Sequence, residues 1–381
     1  MINKNSKIIM ITGMARSGTT LLSNLLDSNS KIVCYPDLFN EFFKGYIRFL
    51  YYKIENKKID CDLPIDNFFF LENYKIFKYL DNANLRHKIP SFIRKQIIQR
   101  SIIRDAQYNK EIKEVFKNSK SKYFDTMFLE VLQKLSKKDK IIAFKTAWCE
   151  QLIEPLNNSF KNMMFINVIR DPRAVIASNF SYSRNHRYPI LFNIRDWRKS
   201  IYYSWRVNNK FKSKKYFQII KYEDLIKNTN KTLLNLFNNF NLKVFDLKDI
   251  KKLKSNSSYK ENKNDNKIFD HSIDKWKSVL PKEVIIEIEK YCFNELKKLS
   301  YKTYINNNKK IEFDNSFKYF KFKNLSKWCK KILINEKIYF DCWLRYNFHL
   351  ENIRTLINKK SDKNLIEIFF YEKKYLDWLL K

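Results

Sequence analysis

Glycine is almost missing from this chain of 381 residues: there are 3, alongside 7 prolines, while lysine, asparagine and isoleucine are abundant everywhere. So uniform a bias makes each remaining glycine informative about its own position. The six cysteines, Cys34, Cys61, Cys149, Cys292, Cys329 and Cys342, form no CxxC pair and no Cys/His cluster. That spacing leaves a zinc site or a disulfide framework without support, and no metal is expected. A reduced compartment is the simpler expectation. Long hydrophobic runs are also missing. The apolar stretch in MINKNSKIIMITGM is far too short for a signal or anchor segment, and no other segment approaches the length of a transmembrane helix. The expectation is a cytoplasmic protein, with contact at the periphery of a membrane left open. Acidic residues are outnumbered, 40 against 75 Lys and Arg, for a formal charge of +35. Such a surplus favours anionic partners, but it follows the general compositional bias. No groove-reading motif or basic-aromatic signature accompanies it, so nucleic acid is not an expected partner.

What is present suffices for folding: 44% of residues are hydrophobic and 16% aromatic, enough for one large domain or one domain with an appendage. Short apolar runs at Lys7 to Thr12, Ile32 to Tyr35, Ile141 to Lys145, Met163 to Arg170 and Tyr216 to Tyr222 read as buried strands separated by helical stretches. Pro36-Asp37 interrupts the second of these at its carboxyl end. Helices are expected at Thr19 to Asp27, Pro172 to Phe180, Asn230 to Phe240 and Pro281 to Leu299. The alternation predicts an α/β, P-loop-like three-layer fold with a central, mostly parallel sheet. Residues 42–138 form a basic, aromatic helical insertion, with Pro64 and Pro90 as breaks, able to cap a site. The expected domain spans residues 1–305, followed by a basic, aromatic-rich helical extension over 306–381, which would pack on the core or, less simply, meet a membrane or partner.

Two of the three glycines, Gly13 and Gly18, bracket four residues in MITGMARSGTT, between the first strand and the first helix. This spacing lets backbone N–H groups turn inward around an anion at the positive end of a helix. Arg16 can neutralise negative charge with a forked donor set, and Ser17, Thr19 and Thr20 add hydroxyls. A nucleoside triphosphatase needs lysine after the second glycine, where this chain has Thr19, so the loop points away from ATP and Mg²⁺ chemistry. Further on, FINVIRDPRAVIASN sets Arg170 at a strand's end and Ser178 on the second turn of a helix, where guanidinium and hydroxyl can converge on one phosphate.

Together these two stretches resemble the sulfotransferase superfamily that uses 3′-phosphoadenosine 5′-phosphosulfate (PAPS), and look closest to its carbohydrate and tyrosylprotein branches. Ala15 stands where proline is usual in that family. The resemblance implies that Arg16, Ser17, Gly18, Thr19 and Thr20 bind the 5′-phosphosulfate, and that Arg170 and Ser178 bind the 3′-phosphate. Lys221 to Leu225 (KYEDL) resembles another landmark, by which Tyr222 would line the nucleotide site or pack in the core. Ser257, Ser258 and Tyr259, followed by Lys275-Trp276, resemble the closing loop over the cofactor, with Ser258 a nucleotide contact. The match runs over roughly residues 8–304, leaving the insertion and the extension unmatched.

Sulfuryl transfer to an alcohol needs an in-line acceptor oxygen, a base and positive charge on the departing oxygen. Arg16 can supply one cation, and the resemblance implies that Lys145, ending the strand IIAFK, supplies the second. The histidine that cytosolic sulfotransferases carry two residues after that lysine is missing here, where the chain reads Lys145-Thr146-Ala147. The carbohydrate and tyrosylprotein branches use a carboxylate after the second strand instead. By that resemblance Asp37 is the expected general base, with Glu41 one turn later as the substitute. His186 is a lone loop histidine. The function expected is transfer from PAPS to a hydroxyl acceptor, a carbohydrate or glycolipid ahead of a protein tyrosine. An inactive nucleotide-binding scaffold and a P-loop kinase are the alternatives.

Overall fold

In a computed structural model the described residues are 3–56, 80, 82–104, 110–182, 190–211, 213, 215–242, 272–304 and 373–381. They fall into two compact units that interleave along the chain, Met1–Ile169 with Val207–Asn256, and Arg170–Arg206 with Ser257–Lys381.

The first unit holds a five-stranded sheet: β1 (Ile8–Thr12), β2 (Ile32–Pro36), β3 (Ile141–Lys145), β4 (Met163–Ile169) and β5 (Phe217–Lys221), in the order β2-β3-β1-β4-β5. Every neighbouring pair is parallel. β1 and β4 are buried along their whole length, the pattern of strands covered on both faces. Pro36 ends β2 rather than standing outside it. β2 is an edge strand, where proline's missing N–H costs no ladder bond. The sequence IIMIT enters the tightest part of the sheet because its five residues are apolar or, at Thr12, able to hydrogen-bond internally: the Thr12 hydroxyl accepts from the Cys149 N–H at 3.2 Å.

The α1 helix (Thr19–Asp27) connects β1 to β2 and buries Leu22, Leu25 and Leu26. The helix α2 (Asn40–Glu55) follows β2, and the described residues up to β3 add α3 (Ser91–Arg104), α4 (Lys110–Asn118) and α5 (Phe124–Leu135). Phe39, Phe42, Phe43, Phe128 and Phe144 make one aromatic core here, with ring centroids 4.6 Å apart for Phe39 and Phe128 and 5.0 Å for Phe39 and Phe144. Such edge and tilted contacts add to the area buried, roughly 0.5–1.5 kcal/mol per pair. They tie the start of α2 to the end of β3.

The second unit is helical where described. It contains α6 (Pro172–Tyr182), most of α7 (Ile190–Lys210), α8 (Trp276–Val279), α9 (Lys282–Lys298) and α10 (Lys373–Leu380). Proline opens α6, where a first-turn residue needs no N–H partner. The last helix docks through Tyr375, whose ring meets Tyr202 at 5.2 Å and Trp205 at 5.1 Å. No helix among the described residues is long and apolar enough to cross a membrane.

Candidate active site

The carboxyl ends of β1, β2 and β3 lie side by side, because Ile11 and Pro36 are both in register with Lys145. In open parallel sheets this edge is where ligands are received. Three backbone bonds knit the loops that leave it: Thr146 N–H to the Ile11 carbonyl at 2.9 Å, Trp148 N–H to Gly13 at 3.0 Å, and Asp37 N–H to Lys145 at 2.6 Å.

The loop from Gly13 to Gly18 turns tightly between β1 and α1. A Cβ on Gly13 would stand 2.4 Å from the Val168 carbonyl, so only glycine lets the loop pass β4. Gly18 caps α1 in a left-handed conformation, φ +99°, and a Cβ there would meet Tyr222 Cδ2 at 2.2 Å. Arg16 is also left-handed, φ 72°, which directs the loop's basic side chain by a strained backbone. The first turn of α1 contains no acidic residue, leaving its positive end uncompensated. Ser17 Oγ is 1% exposed as a residue and has no hydrogen-bond partner. A buried hydroxyl left unsatisfied at a helix start, beside a glycine cradle, is the arrangement a phosphate or sulfate oxygen completes, so these residues fit the 5′ end of PAPS.

Lys145, Asp37 and Thr20 come together. Lys145 Nζ is 2.7 Å from Asp37 Oδ1 and donates to Thr20 Oγ1 at 3.4 Å. The two charged side chains differ in access, 7% for Lys145 and 37% for Asp37. Asp37 has φ 56° and Trp148 has φ 61°, so with Arg16 three non-glycine residues around this edge are left-handed. Each such residue costs on the order of 1–3 kcal/mol.

Glu41, four residues after Asp37, is placed differently. Its carboxylate is fully buried and surrounded by Lys44 at 3.2 Å, Arg100 at 3.2 Å and Arg48 at 3.8 Å. Two nearby thiols are inert. Burial raises the Cys149 thiol well above its usual range; Glu150 and Asp37 add to the shift and Lys44 opposes it. Burial likewise takes Cys34 up to about 12, with Asp27 adding and Ser23 and Lys145 opposing. Neither is a nucleophile at neutral pH. His87, the one histidine among the described residues, packs against Phe49, with burial and Lys53 lowering its pKa.

Tyr222 starts a short helix (Tyr222–Lys227) directly after β5 and is buried against Gly18. In the second unit, Arg170 is the first residue after β4 and Ser178 lies in α6; both are buried. Ser257, Ser258, Tyr259 and His186 lie outside the described residues. Sequence reasoning passed over Arg173, Trp197 and Glu289, which surround the Arg170 turn. Arg173 stood in plain view inside RDPR, whereas Trp197 and Glu289 carry no local signal.

A parallel sheet in this order, with a glycine-bracketed anion loop after its first strand and a lysine at the end of the strand beside it, defines a nucleotide-type, phosphate-binding α/β protein. The family model described as "Sulfotransferase family" matches residues 9–246, and the chain belongs to that family. It is therefore an enzyme of the PAPS-dependent sulfotransferase class. Among solved structures, a sulfotransferase domain from the curacin biosynthetic pathway is similar at 16% identity, covering 79% of this chain and 100% of its own, with a TM-score of 0.47. The sulfotransferase domain of the Synechococcus PCC 7002 olefin synthase gives 16% identity, 79% and 98% coverage and a TM-score of 0.47. A retinol dehydratase in complex with retinol and PAP gives 13% identity, 79% and 83% coverage and a TM-score of 0.35. A comparison with curated proteins finds no match.

Proposed function

We propose that this sulfotransferase transfers the sulfuryl group of PAPS to a carbohydrate or glycolipid hydroxyl, with Asp37 as general base and Lys145 as the cation at the departing oxygen. The observation that carries this reading is the Lys145–Asp37 pair at 2.7 Å, held at the carboxyl edge of the sheet next to Thr20. PAPS, when bound, supplies the sulfuryl group and a phosphate leaving group.

The loop residues Arg16, Ser17, Gly18, Thr19 and Thr20 hold the 5′ end of the donor. Lys145, almost enclosed, keeps an ammonium where charge grows as the bond from sulfur to the bridging oxygen breaks. Asp37, the more exposed partner, accepts the proton of the acceptor hydroxyl as that oxygen bonds to sulfur, and adenosine 3′,5′-bisphosphate leaves. Arg170 and Ser178 hold the 3′-phosphate. Glu41 is a poor base by comparison: it is fully buried, and three cations already claim its oxygens. A saccharide acceptor is supported by the resemblance of the loop to the carbohydrate branch.

Asp37→Asn should abolish turnover while bisphosphate binding survives. Glu41→Gln should instead lower stability, by roughly 3–5 kcal/mol for a broken buried pair, and leave the folded fraction active. Near-normal turnover by Asp37→Asn would overturn the assignment. Labelled PAPS incubated with cell-envelope extracts tests the acceptor class: label in protein tyrosine, with none in glycan or lipid, would refute it.

A further inference from the structure

The turn that presents Arg170 is held by a set of contacts made within the protein itself. All belong to the second unit. The main-chain carbonyl of Arg170 accepts the Trp197 indole N–H at 2.7 Å, and its Nη2 donates to the Ser272 carbonyl at 2.8 Å. The next residue, Asp171, is bound three ways by Arg173: Oδ1 accepts the Arg173 N–H at 2.8 Å and its Nε at 2.9 Å, and Oδ2 accepts Nη2 at 2.5 Å. The remaining guanidinium nitrogen, Nη1, donates to Glu289 Oε1 at 2.5 Å, while Glu289 Oε2 accepts the Tyr304 N–H at 2.7 Å. Trp276 closes the guanidinium from one face, 4.1 Å from ring centroid to Cζ.

Arg173 is thus buried with all three of its side-chain nitrogens donating to carboxylates. A forked guanidinium in this state fixes geometry and offers nothing further to a ligand. The same clamp reaches both flanks of Arg170. Asp171 is its neighbour in sequence, and Trp276, which covers Arg173, follows four residues after Ser272, whose carbonyl holds the Arg170 side chain.

We infer that Arg173, Glu289 and Trp197 are positioning residues that set Arg170 for the 3′-phosphate, and so set the enzyme's preference for a nucleotide that carries one. This rests on the assignment of Arg170 to that phosphate. Loosening the clamp displaces a guanidinium whose hold on a phosphate depends on placement. The loss should fall on the 3′-phosphate alone and spare the loop that holds the 5′ end.

The test uses the full chain and titration calorimetry with two probes, adenosine 3′,5′-bisphosphate and adenosine 5′-monophosphate. The parent should favour the bisphosphate. Arg173→Lys, which keeps the charge and loses the fork, and Glu289→Gln should each reduce that preference about tenfold or more, with 5′-monophosphate affinity unchanged. Trp197→Phe keeps the ring, removes one hydrogen bond and should act in the same direction, about threefold to tenfold; it serves where the ionic variants fail to fold. Folded variants with the parent's ratio would overturn the inference, as would equal losses for both probes. Arg170→Ala separates the two claims. If it keeps the parent's ratio, the assignment of Arg170 itself is wrong. If it loses the preference while the positioning variants retain it, only the clamp is wrong.

Discussion

Gly18 and Tyr222 should be coupled, and the coupling can be worked out from the structure. Replacing Gly18 by alanine brings two costs. The residue sits at φ +99°, where a Cβ is strained by about 1–2 kcal/mol. The added carbon would also stand 2.2 Å from Tyr222 Cδ2 and 2.8 Å from Cε2. The tyrosine has little room to yield, being buried at the first residue of a helix that follows β5 directly. Overpacking of this kind adds roughly 1–3 kcal/mol, for a total near 2–5 kcal/mol. At about 2.1 cal/mol/K of unfolding entropy per residue, each kcal/mol moves the midpoint of a 381-residue chain by roughly 1–1.5 °C, so a drop of roughly 2–7 °C is expected. Tyr222→Ala should be destabilising by itself, through lost burial. In the double variant the overlap is gone and only the backbone strain at position 18 remains. The combined loss should therefore fall short of the sum of the single losses by about 1–3 kcal/mol. Urea unfolding of the four proteins, followed by circular dichroism without ligand, reads this directly. Losses that add to within about 0.5 kcal/mol would mean that the ring does not seat on the glycine, and the reasoning would fail.

Ser17→Ala removes a buried hydroxyl that has no partner, so the unliganded protein should be as stable as the parent or more so. Its affinity for adenosine 3′,5′-bisphosphate should fall about tenfold or more, as for a lost hydrogen bond to a charged group; unchanged affinity in calorimetry would remove Ser17 from the anion site. Burial lowers Lys199 from its usual 10.5 to about 7. Between those values the unfolded chain carries a proton that the folded chain does not, so stability rises with pH above about 7, while below it this group contributes no slope. Lys199→Met should flatten the rise, read as urea midpoints at pH 7 and pH 9; parallel slopes in parent and variant would count against it.

The strands and the glycine-bracketed turn after β1 were legible because their signals are local. Five short apolar runs and two of three glycines at one strand-to-helix turn need no distant partner to be recognised, and each strand was placed to within a residue or so. The order β2-β3-β1-β4-β5 was not legible, since it is set by which crossovers pack on which face. The long helix Ile190–Lys210 was passed over because arginines and lysines interrupt its apolar positions, although Ile194, Trp197 and Ile201 keep a helical spacing. Glu41 shows the limit most clearly. Four residues from Asp37, it has the type and spacing of a second base. What decides its surroundings is Arg100, 59 residues away, together with Arg48 on the next turns of α2. No pattern within the motif announces that pair.

Asp37 illustrates how the fold sustains an arrangement that the local sequence does not favour. Its backbone is left-handed and its carboxylate is set against a lysine from another strand, so nothing within YPDLF holds it there. The restraint comes from either side. Before it, Pro36 is in register with Lys145, and the Asp37 N–H is bonded to the Lys145 carbonyl. After it, Phe39 packs on Phe144, the residue preceding Lys145, and on Phe128. Two aromatic contacts at roughly 0.5–1.5 kcal/mol each, beyond their area burial, are of the size needed to offset one left-handed aspartate. Under the proposed mechanism the aromatic richness of the start of α2 has a role in the chemistry: it fixes the distance between Asp37 and Lys145, which the charges alone, with one partner open to solvent, would leave loose.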